Sequence, residues 1–229
     1  MFNLLTAVIV ARKGSTRVPG KMHAMIDGET MLMRKIRQLR AVNCNVIVGT
    51  DDDSVEESVT DAGALFYRRE DRLCDERSAS VNEMVKDMAT AVQNLLGSQV
   101  ILWAHSTNPF TDSEHYSEAI ALYNNAVMGA EYDSVMSANV QRGHFWNYAE
   151  PINFKTPAPG VTHFPAACLP PVYAQNGAIF IRPAAAMAGD GNLVGRNPLK
   201  YYMHNIPGWD VNDPWELEFA QWYAEKHNI

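Results

Sequence analysis

Four times in the first 125 residues a short apolar run is followed by a stretch with helical spacing, and this alternation limits the possible folds more than any other feature. Leu4–Val10, Asn45–Thr50, Ala64–Tyr67 and Gln99–His105 are brief, apolar and rich in branched residues, which is how buried strands read. The helical stretches carry start and stop signals. Thr30–Ala41 places Leu32, Ile36 and Leu39 near helical spacing. Asp53 and Glu56 form a capping-box pattern for a short helix closed by Gly63. Ser80 with Glu83 opens a long helix that runs to Leu96 and stops at Gly97. The turn Ser106–Asp112 leads, through Thr111 and Glu114, into a helix over about 114–125. Such repetition builds a parallel sheet covered on both faces, so the expected fold class is α/β, three-layered, with a mostly parallel central sheet.

The pattern then changes. Asp133–Val140, Ala178–Arg182 and Lys200–Asn205 read as further strands, but 142–175 is rich in Pro, Asn, His and aromatics without a period. An irregular stretch of that length in a compact domain is functional or an interaction arm. Asp213-Pro214-Trp215-Glu216 combines an N-cap, a proline at N1 and a Glu at N3, opening a last helix that ends near His227. With 229 residues, one domain over 1–229 is expected.

The first strand ends in Arg12-Lys13-Gly14-Ser15, and Arg17, Pro19, Gly20 and Lys21 follow. Four cations in this loop reverse the sign of a chain whose formal net charge is −7. That overall charge argues against nucleic acid and anionic membrane surfaces as partners. A strand followed by a glycine-containing cationic loop suits phosphate groups, because glycine lets backbone approach and the cations meet the charge. It is not a Walker loop: there is one residue too many between the glycines, and Met22 stands where Ser or Thr would hold magnesium. The glycine triplet of dinucleotide-binding folds is absent too. Cys44, Cys74 and Cys168 are odd in number and widely spaced, so a reducing, cytoplasmic setting without disulfides is expected. The apolar N-terminus lacks the basic flank of a signal peptide, and no run reaches the roughly 18–20 apolar residues of a membrane span. The five tryptophans are dispersed and read mostly as core residues, not as a stacking platform.

Six blocks, in order, resemble the sugar-acid cytidylyltransferases, among them the N-acylneuraminate enzymes and, more distantly, the 3-deoxy-manno-octulosonate enzymes. They are Ala11–Ser15 with Pro19-Gly20-Lys21; Gly49-Thr50-Asp51; Arg69, Leu73, Asp75 and Ser80; Thr107-Asn108-Pro109-Phe110; Asn176-Gly177-Ala178-Ile179; and Asp210-Val211-Asn212-Asp213-Pro214. The resemblance implies a three-layer nucleotide-sugar transferase fold and an enzyme that joins CTP to a keto-sugar acid with release of pyrophosphate. It further implies Mg²⁺ as cofactor, held by Asp210 with Asn212, and a homodimer in which 142–175 is the arm that reaches the neighbouring subunit.

On this reading Arg12, Lys21 and Asp210 are catalytic, and Arg12, Gly14, Ser15, Lys21, Arg69 and Ser80 hold the nucleotide. His105, Thr107, Asn108 and Asn176 face the acceptor. The residue types suit that chemistry, since Arg12 can bind phosphate oxygens bidentately, Lys21 supplies a point charge, and a hard carboxylate is what magnesium takes. Ser80 has two readings, helix cap and nucleotide contact. His105 also has two, substrate contact or structural residue. Asp213 reads first as the N-cap of the last helix. Three positions depart from the acylneuraminate pattern: Met22 in place of an Asn, Asn212 in place of an acidic residue, and Ala166-Ala167 in place of Arg-Gln. The last points away from sialic acid itself as acceptor. A same-fold transferase of another nucleotide or sugar, and a non-catalytic nucleotide- or sugar-binding protein, remain open alternatives.

Overall fold

The computed structural model describes residues 5–75, 77–127, 129–155 and 164–229. The first residue of the expected opening strand, and the middle of the expected arm, lie outside these. In chain order the strands are β1 (Leu5–Val10), β2 (Met25–Ile26), β3 (Glu29–Thr30), β4 (Asn45–Thr50), β5 (Leu65–Arg68), β6 (Val100–Trp103), β7 (Ser134–Gln141), β8 (Val172–Pro183) and β9 (Pro198–Met203). The helices are α1 (Met31–Arg40), α2 (Glu56–Asp61), α3 (Asp71–Cys74), α4 (Val81–Leu96), α5 (Ser113–Leu122), α6 (Ala184–Asp190) and α7 (Pro214–His227).

Seven strands form one sheet in the order β5-β4-β1-β6-β8-β7-β9, while β2 and β3 make a separate small hairpin. The pairs β4–β5, β1–β4, β1–β6 and β7–β9 are parallel; β8 runs antiparallel to both β6 and β7. The mostly parallel three-layer expectation therefore holds, and its physical basis is visible residue by residue. Along β1, Ala7 and Ile9 face a core that holds Leu32, Ile36 and Leu39 of α1, Val59 of α2 and Tyr116 of α5. Val8 faces the opposite core, with Val85, Met88 and Val92 of α4 and Met187 of α6. The middle of such a strand is buried on both faces, so apolar runs and not alternation mark it in the sequence. A third, smaller core packs α7 against the β2–β3 hairpin through Ile26, Met31, Phe110 and Ala220.

Helix boundaries follow the capping signals with two exceptions. Ser80 caps α4 and makes the reciprocal bond with Glu83, and Gly97 ends that helix in the left-handed conformation. At the second strand's end the cap is Asp52, not Asp53: its carboxylate accepts from Ser54 N at 3.1 Å. Likewise Asp112, not Thr111, caps α5, and that helix passes at Tyr123 into a π-turn over Tyr123–Val127. Thr111 instead donates its hydroxyl to the Pro207 carbonyl at 2.6 Å. At α5 the carboxylate of Asp112 offers a stronger acceptor than the Thr111 hydroxyl to the free N–H groups of the first turn.

The second half departs further from expectation. β8 begins at Val172, so it absorbs the end of the expected irregular stretch, and its pairing with β7 shifts register between Met136 and Ala138. The Ser137 hydroxyl fills that irregularity: it accepts from Ile179 N at 2.8 Å and donates to Asn176 Oδ1 at 2.5 Å. Helix α6 has no polar N-cap, which is why no start signal announces it. Between 142 and 171 the described backbone contains only an isolated bridge, Trp146–Pro151, and a single 3₁₀ turn at Ala166–Cys168. The tryptophans correct the expectation. Trp103 alone is completely buried, while Trp146, Trp215 and Trp222 are exposed. Trp209, Trp215, Phe219 and Trp222 form a run of ring contacts along α7, because the helix packs only one side on the small third core. All three cysteines are free thiols. Among the described residues no helix is long and apolar enough to cross a membrane.

Candidate active site

In an open α/β sheet, ligands settle beyond the carboxyl ends of the parallel strands. Two adjoining pockets lie there, and both are lined by Val10, Ala11 and Arg12, where β1 gives way to its loop. The first, about 230 Å³, is closed by Arg69, Leu73, Asp75 and Ser80 on one side and by Trp103 and His105 on the other. The second, about 200 Å³, is lined by Ser15, Arg17, Lys21, Met22, Ser106 and Thr107. A wider recess of about 520 Å³ continues past Arg12 toward Gly14, Asp51 and Arg77. One pocket is thus a half-apolar slot, and its neighbour is edged by cations and hydroxyls.

The loop that carries these cations is fastened at several points. The backbone N–H of Lys13 donates to Asp51 Oδ1 at 2.8 Å, and Lys13 Nζ lies 3.9 Å from Asp52. Asp52 is nearly buried and accepts from Ser54 and His23; the Ser54 hydroxyl above all holds its pKa down to about 2. At the loop's far end Lys21 Nζ donates to the Val211 carbonyl at 2.8 Å. Partial burial lowers the Lys21 pKa, and the Asp210 carboxylate opposes that shift. Arg17 reaches across to the Asn212 amide oxygen at 2.9 Å and to Asp213 at 4.0 Å. Met22 is buried in the main core beside the second pocket, so it contributes an apolar wall there and does not face the first.

Arg69 is buried with 3% of its surface exposed. Its guanidinium donates to the Leu73 carbonyl, and burial lowers its pKa. It lies against Gly49, where a Cβ would overlap Met88 Sδ and come within 2.9 Å of Arg69 Cδ, so a side chain there would have to displace one or both. Ser80 is spent on capping α4 and also lines the first pocket, so both of its readings are compatible with its place. His105 packs against Phe180 with ring centroids 5.9 Å apart, and burial lowers its pKa. Gly177, at φ +75°, gives way to it: a Cβ there would sit 2.7 Å from His105 Nδ1.

Asp210 arrives from the other half of the chain. Its Oδ2 accepts from Asn212 Nδ2 at 2.7 Å, while its Oδ1 is buried with no hydrogen-bond partner. The Asn212 amide is engaged at both ends, by Asp210 and Arg17. Among the described residues no group of three or more His, Cys, Asp or Glu side chains is placed to hold a metal ion. A bare, buried carboxylate oxygen is nonetheless the kind of atom that a hard cation satisfies, so Asp210 fits a Mg²⁺ ligand by its donor chemistry.

Of the residues singled out from sequence, Arg12, Arg69, Ser80 and His105 meet at one pocket and Arg12, Ser15, Lys21 and Thr107 at the next. Asn108 and Asn176 sit elsewhere. Both are buried, and Asn108 Nδ2 donates to the carbonyls of Asn176 (2.9 Å) and Trp209 (3.1 Å). Asn176 Nδ2 donates to Asn139 Oδ1 at 2.9 Å. These side chains hold backbone in place, which sequence cannot distinguish from ligand contact. Arg17 and Ser106 also line the second pocket, and sequence reasoning gave neither a role in the site. Arg17 had a signal, as one of the four cations of the loop; Ser106 carries none of its own.

A sequence model of the cytidylyltransferase family matches residues 6–145. Among curated relatives, the 3-deoxy-manno-octulosonate cytidylyltransferase of Alteromonas mediterranea is 28% identical over 123 residues, which cover 53% of this chain and 46% of that protein. The enzyme of the same name from Geobacter sulfurreducens is 30% identical over 120 residues, with coverage of 51% and 44%. That from Maricaulis maris is 37% identical over 100 residues, with coverage of 42% and 39%. The chain spans less than half the length of each of these relatives. A solved structure of CMP:2-keto-3-deoxy-manno-octonic acid synthetase complexed with CTP superposes with a TM-score of 0.68 at 16% identity, covering 97% of this chain and 99% of that one. The 4-diphosphocytidyl-2C-methyl-D-erythritol synthase of Anaerococcus prevotii gives a TM-score of 0.60 at 10% identity, with coverage of 96% and 98%. At these identities the structural likeness speaks for the fold.

Proposed function

Since the chain belongs to the cytidylyltransferase family, we propose that it transfers the cytidylyl group of CTP to a keto-sugar acid and releases pyrophosphate. The acceptor class we favour is that of the octulosonates, for which the curated relatives are named. An acylneuraminate-type acceptor, the nearer likeness in the sequence, has no counterpart among those names. The observation that carries the reading is the pair of pockets joined at Arg12, one slot-like and one cationic, at the carboxyl ends of β1 and β6.

A planar base and its sugar suit the slot between Ser80, Leu73 and Trp103, and a triphosphate suits the neighbouring pocket with Arg12, Arg17 and Lys21. In the reaction an acceptor hydroxyl oxygen forms a bond to the α-phosphorus as the bond to the β-phosphate oxygen breaks. Pyrophosphate leaves with that electron pair, and the hydroxyl proton is lost to a base or to water. Positioning and charge neutralisation are what such a displacement asks of a protein. Arg12 and Lys21 hold the phosphates, and Ser15 and Thr107 offer hydrogen bonds at the edge. Asp210 Oδ1 would hold Mg²⁺. When bound, the ion neutralises charge on the phosphate oxygens. Asn212 Oδ1, which already accepts from Arg17, would have one lone pair left to offer it.

We further propose a homodimer in which 142–175 contributes to the interface. Trp146, Tyr148, Ile152 and Phe164 are exposed in that segment, beside an open groove of about 720 Å³ lined by Phe154, Pro170, Tyr173 and Lys200. Light scattering at micromolar concentration tests this, and a mass of 25.5 kDa alone would exclude it. The activity is tested by measuring pyrophosphate release from a matrix of nucleoside triphosphates and keto-sugar acids with Mg²⁺. Release is expected with CTP and an octulosonate; tight CTP binding without release from any acceptor would favour a binding protein instead.

A further inference from the structure

Lys35, on α1, has none of its surface exposed, yet none of its hydrogen-bond acceptors is charged. Its Nζ donates to the carbonyls of Asn108 (2.8 Å) and Thr111 (3.3 Å) and to the Tyr116 hydroxyl (2.7 Å), so all three N–H bonds are used. Two neighbours on the same helix act alike. Arg34 Nε donates to the Pro109 carbonyl at 3.0 Å, and Gln38 Nε2 donates to the same oxygen at 2.8 Å. Three buried polar side chains of α1 therefore converge on one turn, Asn108–Thr111.

Burying an ammonium among neutral oxygens is costly, and an apolar side chain of similar length would avoid that cost. What the arrangement secures is geometry. The opposite side of the same turn grips the segment that bears Asp210. Asn108 Nδ2 donates to the Trp209 carbonyl, Thr111 Oγ1 to the Pro207 carbonyl, and the Thr107 carbonyl accepts from Val211 N at 2.9 Å. Val211 in turn accepts Lys21 through its own carbonyl. The chain of contacts runs from α1 through the turn to Asp210 and back to the cationic loop.

We propose that Lys35, assisted by Arg34 and Gln38, is a positioning residue that fixes the Ser106–Asp112 turn and thereby the placement of Asp210. Its consequence for turnover rests on the cytidylyl-transfer reading of the pocket; its structural part does not.

The test compares the full chain with Lys35→Met and with the milder Gln38→Met, using peptide-resolved hydrogen exchange alongside kcat and KM. Exchange over 106–112 and 207–212 is expected to quicken by about tenfold or more, while β1 and β4 stay within about threefold. With activity established, kcat is expected to fall by about tenfold or more, with KM for CTP within about threefold. Faster exchange confined to 106–112, or spread evenly through the sheet, would overturn the proposal. So would an unchanged kcat in a variant whose 207–212 exchange has quickened. If Lys35→Met does not fold, Gln38→Met decides by the same criteria at smaller amplitude. If the parent chain turns over no acceptor, the reading of the pocket fails, and the exchange comparison still decides whether α1 anchors Asp210.

Discussion

The two halves of the sheet are built on different rules. From β5 to β6 the strands are short, parallel and mostly apolar, and their loops carry Arg12, Lys21, Arg69 and His105 to the pockets. From β8 to β9 two of the three strands, β7 and β8, are longer, and the pairing includes antiparallel partners. Their interior holds a network of amides and a hydroxyl, Ser137, Asn139 and Asn176, that interlocks backbone. The first half supplies the groups that line the two pockets, and the second holds the Asp210 carboxylate, which lines neither, through a seam of hydrogen bonds. A loop at a strand end can change its side chains freely, whereas a carboxylate delivered across a seam depends on every hydrogen bond along it.

The largest effect that could break this contrast is catalytic. Arg12→Ala and Lys21→Ala are each expected to lower turnover by about 10²–10³, and Lys21→Ala, which also removes the bond to the Val211 carbonyl, to cost about 1 kcal/mol of stability. Asp210→Asn is expected to fall in the same range of about 10²–10³ in a pyrophosphate-release assay. Near-normal turnover there would reduce the second half to a scaffold. Next comes the seam itself. Asn108→Ala removes donors to two buried carbonyls and should cost about 2–3 kcal/mol in urea unfolding.

A smaller effect belongs to the root of the cationic loop. Asp52 has a folded pKa of about 2 against an ordinary 3.8, so it contributes stability above pH 4 that is lost as pH falls toward 2. The contribution is on the order of 2 kcal/mol, and Asp52→Asn should flatten that acid limb of a stability–pH profile. The smallest is Arg17→Ala. The Arg17 contacts to Asn212 and Asp213 are exposed, so stability should move by less than about 0.5 kcal/mol. KM for the triphosphate should still rise several-fold if Arg17 meets phosphate.

How far these features can be read in sequence follows the same division. Strands such as Asn45–Thr50 are legible because burial on both faces leaves an apolar run, and α4 is legible because Ser80, Glu83 and Gly97 all mark it. Arg69, Leu73, Asp75 and Ser80 stand together as one block of the sequence and do line one pocket. Asn108 and Asn176 show the limit. An amide that grips a ligand and one that grips backbone are the same letter, and only the fold tells them apart. Lys35 is invisible for a related reason: nothing local marks a lysine that will be enclosed by a turn more than seventy residues away. Helix α6 lacks a cap, and the exposed tryptophans of α7 defy the expectation that large aromatics lie inside.

The order of strands has a consequence for how the chain comes off the ribosome. β5, β4, β1 and β6 are contiguous in the sheet and complete by residue 103, so that block can assemble as it emerges. β7 cannot join it, because both of its neighbours, β8 and β9, are made later. At about 5–20 residues per second it waits on the order of seconds for residue 183, with Val135 and Ala138 unburied meanwhile. The interval ends only when β8 slots between β6 and β7, and the seam that seats Asp210 closes later still.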